Sequence, residues 1–342
     1  MKKKIFVTGA QGYIGSVLVQ KLLKQYDVIG TDIGYFKNCN LIKYSDPIKI
    51  LSLDLKQITK RHLKDVYCVI HLAAISNDPI GDLNPKVTMD INYKQTIRLA
   101  KLAKNAGVSR FLFSSSCIMY GSRKGHNQVN ENSLLKPLTA YAKSKVLAEK
   151  GLSKLASKFF SVTYIRNGTV YGFSPRMRFD TVLNNFIAQS YYNNSINILS
   201  KGEQYRPVIH ITDVCNSFIK IMEAPKKLIH NQAFNNGDNK LNYRIKDLAL
   251  SVKKVNPKTK IKILDAKNHD NRSYIASFNK IKRKFPNIVF KNKPTKSSKE
   301  LFFFLSKNKI KKNIIYNKKF IRLKWLDFLK KKGKINKALK YK

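Results

Sequence analysis

The chain has 342 residues, enough for one large domain or for two lobes that share a cleft. Its apolar fraction of 43% is that of a globular protein, and no apolar run is long enough to cross a bilayer, so no membrane span is expected. The formal net charge of +47 is spread along the chain, with no nucleic-acid-binding motif, so the lysines read as a solvated surface and nucleic acid is not the expected partner.

The start, MKKKIFVTGA, has a charged region followed by an apolar run that stops at once at a glycine-rich turn. No small-residue cleavage site follows, and a cytoplasmic protein is expected. KIFVTGA predicts a short strand, GSVLVQKLLKQ an amphipathic helix and DVIGTDI a second strand. VYCVIHLAA predicts a buried strand, and PKVTMDINYKQTIRLAKLAKNAG a long amphipathic helix ending at Gly107. SRFLFSSS is the next strand, TAYAKSKVLAEKGLSKLASK a helix, and FSVTYIRNGTVYG a strand. Such alternation predicts an α/β fold, a doubly wound parallel sheet of Rossmann type, with ligands at the carboxyl ends of the strands.

Beyond residue 172 the pattern loosens. TVLNNFIAQSYY reads as a helix, and YRPVIHITDV as a strand returning to the core. The expected division is a cofactor-binding domain over 1–172 with a return segment at about 205–222. A smaller α+β substrate-binding lobe is expected over 173–204 and 223–305, then a basic extension over 306–342. In that extension Phe320, Leu323, Leu326 and Leu329 recur at helical spacing and predict a helix with one apolar stripe. The four cysteines (Cys39, Cys68, Cys117 and Cys215) show no paired spacing and predict neither a zinc site nor a disulfide framework.

The first turn reads T-G-x-x-G-x-x-G through Thr8, Gly9, Gly12 and Gly15. Glycine lets the backbone approach a pyrophosphate, and the helix start behind it turns free N–H groups to the phosphates. Asp32 ends the second strand, where a carboxylate can accept from both hydroxyls of an adenosine ribose and would repel a ribose phosphate. No Arg neighbours it in sequence, so NAD is the expected cofactor rather than NADP. Asp54 and Leu55 would lie at the adenine end. Leu72, Ala73 and Ala74 would let the cofactor lie against the sheet edge, and Asn92 would sit on a helix crossing behind the site.

Ser116 closes an apolar strand, and Tyr141 and Lys145 stand four apart in YAKSK, on one helical face. A tyrosine base near neutral pH needs its pKa lowered by about 3, roughly 4 kcal/mol. The Lys145 ammonium and a positive nicotinamide ring would stabilise the phenolate. Ser116 would hydrogen-bond the substrate oxygen while Tyr141 takes the proton from a sugar hydroxyl and hydride passes to the cofactor.

The motifs TGAQGYIG, HLAA (71–74), SSSCIMYG (114–121), YAKSK (141–145), RNGTVYG (166–172) and YRPVIHITDV (205–214) together resemble the extended short-chain dehydrogenase/reductase family of nucleotide-sugar epimerases, dehydratases and reductases. The resemblance runs to about residue 305. It implies that Ser116, Tyr141 and Lys145 are catalytic. It implies that Gly9, Gly12, Tyr13, Ile14, Gly15, Asp32, Asp54, Leu55, Leu72, Ala73, Ala74 and Asn92 serve the cofactor together with Tyr141 and Lys145. Thr169 and Arg178 would line the substrate cleft, and Arg206 and Arg272 would bind the diphosphate of a nucleotide sugar. A homodimer through the helices carrying 85–106 and 139–157 is likewise implied.

Departures from the family pattern narrow the reaction. Relatives that eliminate water carry an Asp-Glu pair directly after the catalytic Ser or Thr, where this chain has Cys117 and Ile118. Isoleucine moves no proton, so dehydration is not expected, and decarboxylation loses its Glu in the same loop. Cys117 as an acid/base group is weighed against a buried thiol, and the buried thiol is favoured. Thr169 replaces an Asn that often contacts substrate, and Gln95 replaces a helix Gly. The expected activity is 4-epimerase-like oxidation and re-reduction of one sugar hydroxyl with NAD. A ketoreductase or dehydrogenase is the alternative, and a catalytically silent NAD- or RNA-binding protein is an alternative of another class.

Overall fold

Seven parallel strands form the central sheet of the computed structural model, which describes residues 2–76, 78–123, 128–264 and 272–341. They are β1 (Lys4–Thr8), β2 (Asp27–Asp32), β3 (Ile50–Ser52), β4 (Val66–His71), β5 (Arg110–Ser116), β6 (Ser161–Asn167) and β7 (Gln232–Asn236). Their order is β7-β6-β5-β4-β1-β2-β3, so the chain reverses direction across the sheet between β1 and β4. That reversal opens a crevice at the carboxyl edge, between the turn after β1 and the loop after β4.

Alternation along β1 assigns its two faces. Ile5 and Val7 pack with Leu18, Leu22, Val214, Phe218 and Ile221, from helices Gly15–Leu22 and Ile211–Glu223. Phe6 points the other way, to Leu99, Ala103, Ala148 and Leu152 of helices Gln95–Asn105 and Ala140–Ser153. Both faces are covered, which is why β4 and β6 are nearly continuous buried runs. The predicted long helix runs from Pro85 to Asn105 with one π-helical stretch over Asp90–Lys94, and Gly107 at φ 80° ends it.

A second core holds Met177, Phe179, Leu183, Phe186, Ile187, Ile198, Val208, Leu248 and Leu301. Two strand placements depart from the expected division. Gln232–Asn236, assigned by sequence to the lobe, is the edge strand of the central sheet, where it pairs with the fully buried β6. Tyr205–His210 does not return to that sheet. It joins Thr169–Tyr171 and Asn242–Arg244 in a three-stranded sheet of its own. The basic extension is docked rather than free: Trp325, Leu326, Leu329 and Ile335 pack with Cys39 and Ile75. No helix among the described residues is long and apolar enough to cross a membrane.

Candidate active site

The glycine turn is fixed from both sides. Gly9, at φ 72°, donates its N–H to Thr31 O at 2.9 Å, and a Cβ there would lie 2.8 Å from Ala73 N. At Gly15 a Cβ would lie 2.1 Å from Gly9 O. Gly12 differs, because a Cβ there would meet only Gly9 O, at 3.1 Å, so its outer side is open to a phosphate. This cradle, opening onto the start of helix Gly15–Leu22, fits a dinucleotide. The Tyr13 side chain turns away from it: its hydroxyl donates to Gly172 O at 2.5 Å and accepts from Asn184 Nδ2 at 3.1 Å. Tyr13 is therefore left with only its main chain to offer a cofactor.

Asp32 lies at the end of β2 with its oxygens held by the amides of Gln11 (3.0 Å) and Gly34 (2.8 Å). Burial pushes its carboxyl above the ordinary value, against those two donors and the Arg176 guanidinium. Sequence reasoning saw no Arg beside Asp32, but the fold brings Arg176 and Arg322 near it from far along the chain. Asp54 caps a short 3-10 turn after β3, accepting from Lys56 N at 2.9 Å, and Leu55 is buried behind it.

Leu72, Ala73 and Ala74 follow β4 directly, with Leu72 N bonded to Thr8 O (3.2 Å) and Ala73 N to Thr8 Oγ1 (3.2 Å). His71 bridges Thr8 Oγ1 (2.7 Å) and Thr96 Oγ1 (2.8 Å), and burial pushes it down to about 3, so it stays neutral. Asn92 lies next in this region, on the π-helical stretch Asp90–Lys94. Its amide is buried, clasps both the N–H (2.8 Å) and C=O (3.0 Å) of Ile75, and donates to Ser144 Oγ at 3.1 Å. It positions the loop after β4, and its own donors and acceptor are used on protein partners.

Ser116, Tyr141 and Lys145 come together at the carboxyl end of β5. Thr139 caps helix Ala140–Ser153, and Tyr141 and Lys145 lie on one face. The Ser116 hydroxyl acts on the Tyr141 phenol, and its Oγ accepts from Ile118 N at 3.3 Å. Lys145 Nζ lies 5.7 Å from the Tyr141 ring centre and 4.5 Å from that of Phe113, and donates to Ser114 O at 2.8 Å. Burial pushes Tyr141 up to about 12, with the Asp78 carboxylate acting the same way. The Ser116 hydroxyl and the Arg178 guanidinium pull it down. Burial likewise pushes Lys145 down to about 7, opposed by Glu149.

Cys117 is fully buried, its Sγ 3.1 Å from Arg166 O, and burial pushes its thiol well up, so it is a packed thiol. Thr169 opens the strand Thr169–Tyr171 and is half-buried. Arg178 forms a two-point pair with Asp180 (2.8 and 3.1 Å) and reaches Ser76 Oγ (3.3 Å). Arg206 and Arg272 do meet: Arg206 donates to Tyr205 O at 2.9 Å and to Arg272 O, and Arg272 pairs with Asp78 at 2.7 Å.

Asp78, missed by sequence reasoning, holds one end of this arrangement. It accepts from Thr139 Oγ1 at 2.5 Å, and a Cβ at Gly81 in the same helix, Asp78–Leu83, would lie 3.2 Å from Tyr141 Cβ. Asp180, which pairs with Arg178 two residues before it, and Glu149, which pairs with Arg166 on another element, were not singled out either.

Residues 5–237 match the model of the NAD dependent epimerase/dehydratase family. The chain is 31% identical over 241 residues to a Bacillus subtilis protein named Uncharacterized UDP-glucose epimerase YtcB, covering 65% of this chain and 73% of that one. It is 30% identical over 233 residues to a Putative UDP-glucose 4-epimerase of Methanocaldococcus jannaschii, covering 66% and 75%. UDP-glucuronic acid 4-epimerase from Bacillus cereus, solved with UDP-glucuronic acid and NAD, shares the fold at TM-score 0.76 and 24% identity, over 89% of this chain and 99% of that one. With the cradle, the strand order and these matches in place, the chain belongs to the NAD dependent epimerase/dehydratase family.

Proposed function

We propose that this chain is an NAD-dependent nucleotide-sugar epimerase of the 4-epimerase type, with Ser116, Tyr141 and Lys145 as its catalytic residues. One observation carries the reading: the Ser116 hydroxyl acts on the Tyr141 phenol, with Lys145 one helical turn away, at the strand edge that also bears the glycine cradle. The named 4-epimerase relatives support it.

When bound, NAD supplies the hydride acceptor and a positive ring beside the phenol. Tyr141 takes the proton of a sugar hydroxyl while Ser116 hydrogen-bonds the same oxygen, and the hydride leaves the carbon that becomes a ketone. Re-reduction from the other face returns the proton from Tyr141 and inverts the centre. Positions 117 and 118 hold Cys and Ile, with the thiol sealed, so that loop offers no acid for elimination. Gly9, Gly12, Gly15, Asp32 and the amides of Tyr13 and Ile14 would hold the cofactor. Arg206, Arg272, Arg178 and Thr169 would line the sugar-nucleotide side.

A homodimer through the faces of helices Gln95–Asn105 and Ala140–Ser153, working in the cytoplasm, completes the reading. Light scattering on the eluted protein and cell fractionation test those two points. The main test is incubation with UDP-, GDP-, dTDP- and CDP-sugars. The expected result is interconversion of one epimeric pair with no net NADH formed, lost in Tyr141→Phe. Stoichiometric consumption of NADH with a reduced sugar as product would replace this reading by a ketoreductase.

A further inference from the structure

Two guanidinium groups, Arg176 and Arg322, act on Asp32 from far along the chain. Positive charge beside the carboxylate that ends β2 is what a phosphate on the adenosine ribose would use. The matched family is nevertheless NAD-dependent. Something at this end of the cleft offsets those charges, and the loop over residues 33–49, between β2 and β3, supplies it.

Gln11, in the glycine turn, bonds two carboxylates at once. Its main-chain N–H donates to Asp32 Oδ2 at 3.0 Å, and its side-chain Nε2 donates to Asp46 Oδ2 at 2.6 Å. A Cβ at Gly34, whose N–H holds the other Asp32 oxygen, would lie 3.8 Å from Gln11 Oε1. The glutamine amide therefore lies beside the turn that holds Asp32, with Asp46 at its far end. The Asp46 charge acts on the Asp32 carboxyl.

The same acid holds Arg176. Arg176 Nη2 donates to Asp46 Oδ2 at 3.1 Å and to Oδ1 at 3.4 Å, and Nη1 donates to Asn40 Oδ1. The guanidinium lies 5.0 Å over the Tyr44 ring. Asn40, Tyr44 and Asp46 all belong to the loop after β2, so that loop wraps the arginine. Arg176 is 2% exposed, whereas Gln11, Asp32 and Asp46 are each partly exposed, the Asp46 side chain by 17%. The acids thus stand on the accessible side of the cluster and the guanidinium lies behind them. A 2′-phosphate arriving there meets carboxylate first, and like charges at close range repel.

We propose that Asp46 is a second determinant of NAD over NADP: it occupies Arg176 and, with Asp32, sets a pair of carboxylates against a 2′-phosphate on the adenosine ribose. The proposal rests on the reading of this cleft as the NAD site. It explains how a chain that folds two arginines towards Asp32 keeps the unphosphorylated cofactor.

The test uses the full-length protein. Binding of NADH and NADPH is followed by their fluorescence, and 5′-AMP and adenosine 2′,5′-bisphosphate are compared as competitors of NADH. The chains are the wild type, Asp46→Asn, Asp46→Glu and the double variant Asp46→Asn with Arg176→Gln. Asp46→Asn removes the charge and keeps the size of the side chain. It should tighten NADPH and the bisphosphate by about tenfold and change NADH and 5′-AMP by less than about threefold. The gain should shrink at high salt, because the charges are partly exposed. Asp46→Glu should keep the wild-type preference. The double variant should keep a smaller gain, about threefold, because the accessible charge it loses is the acid. It leaves no Arg176 charge buried without Asp46, so it reads out even where the single variant fails to fold.

Unchanged NADPH binding in both Asn variants, equal gains for 5′-AMP and the bisphosphate, a gain in Asp46→Glu equal to that in Asp46→Asn, or a wild type that binds NADPH as tightly as NADH each overturns the proposal. A wild-type chain that binds neither dinucleotide strikes the cofactor reading itself, whereas wild-type preference for NADH that the variants leave untouched strikes only the role of Asp46.

Discussion

Lys145 stands one turn from Tyr141 on the same helix face, yet its hydrogen bond goes to the Ser114 carbonyl, at 2.8 Å, on the strand that also carries Ser116. The end of β5 thus reaches both members of the Tyr-Lys pair, holding the lysine through a main-chain oxygen and acting on the phenol through the Ser116 hydroxyl. Ser116 is consequently a determinant of how acidic the phenol is.

Activity should rise with pH on its acid side, because the proton acceptor is phenolate. Ser116→Ala removes a group that pulls Tyr141 down, so the acid limb of kcat/KM should move to higher pH, by up to about one pH unit. Tyr141→Phe should lower kcat about a hundred- to ten-thousandfold while the protein still binds NADH. A pH-rate profile with NADH titrations checks both, and an unmoved limb in Ser116→Ala counts against the assignment.

The two inner glycines of the turn should fail differently. Gly15→Ala places a methyl 2.1 Å from a backbone oxygen, so the turn must rearrange and thermal stability should fall. Gly12→Ala meets one oxygen at 3.1 Å and otherwise faces open space, so the fold should survive while dinucleotide affinity drops. Melting curves with and without NADH separate the two.

Acid should weaken the fold through His71. Its pKa is 6.5 in the unfolded chain and about 3 when folded, so the unfolded state binds more protons between those values. Stability contributed by neutral His71 is complete above pH 6.5 and is lost as pH falls towards 3. His71→Gln should cost about 1–3 kcal/mol near neutrality and show a shallower decline below it. Urea unfolding at a series of pH values measures this.

Beneath Lys145, Glu149 is paired with Arg166 at 2.6 Å, and both are buried. Glu149→Gln leaves the guanidinium without its carboxylate and should destabilise the protein by about 3–5 kcal/mol. It also removes the group that raises Lys145, so Lys145 should titrate lower still. Denaturant melts and NMR of labelled lysine check the two halves.

The strands and the turn after β1 were legible in the sequence for a physical reason. Buried parallel strands such as VYCVIH write themselves as apolar runs, and the glycine turn has few uses other than close backbone approach. The pair Tyr141 and Lys145 was readable because helical spacing alone puts them on one face. What stayed hidden depends on contacts between distant segments. QAFNN carries too little apolar character to announce an edge strand of the main sheet, and only the exposed flank of β6 recruits it. Asp78 looks like an ordinary acid until Arg272 meets it from far along the chain. The use of Asn92 as a clasp on Ile75 requires knowing where that loop runs.

The bonds from Tyr13 to Gly172 O and Asn184 have a mechanical outcome. One ring ties the glycine turn after β1 to the exit of strand Thr169–Tyr171 and to helix Val182–Asn193. Any displacement of that helix relative to the sheet must therefore either carry the turn with it or break both bonds.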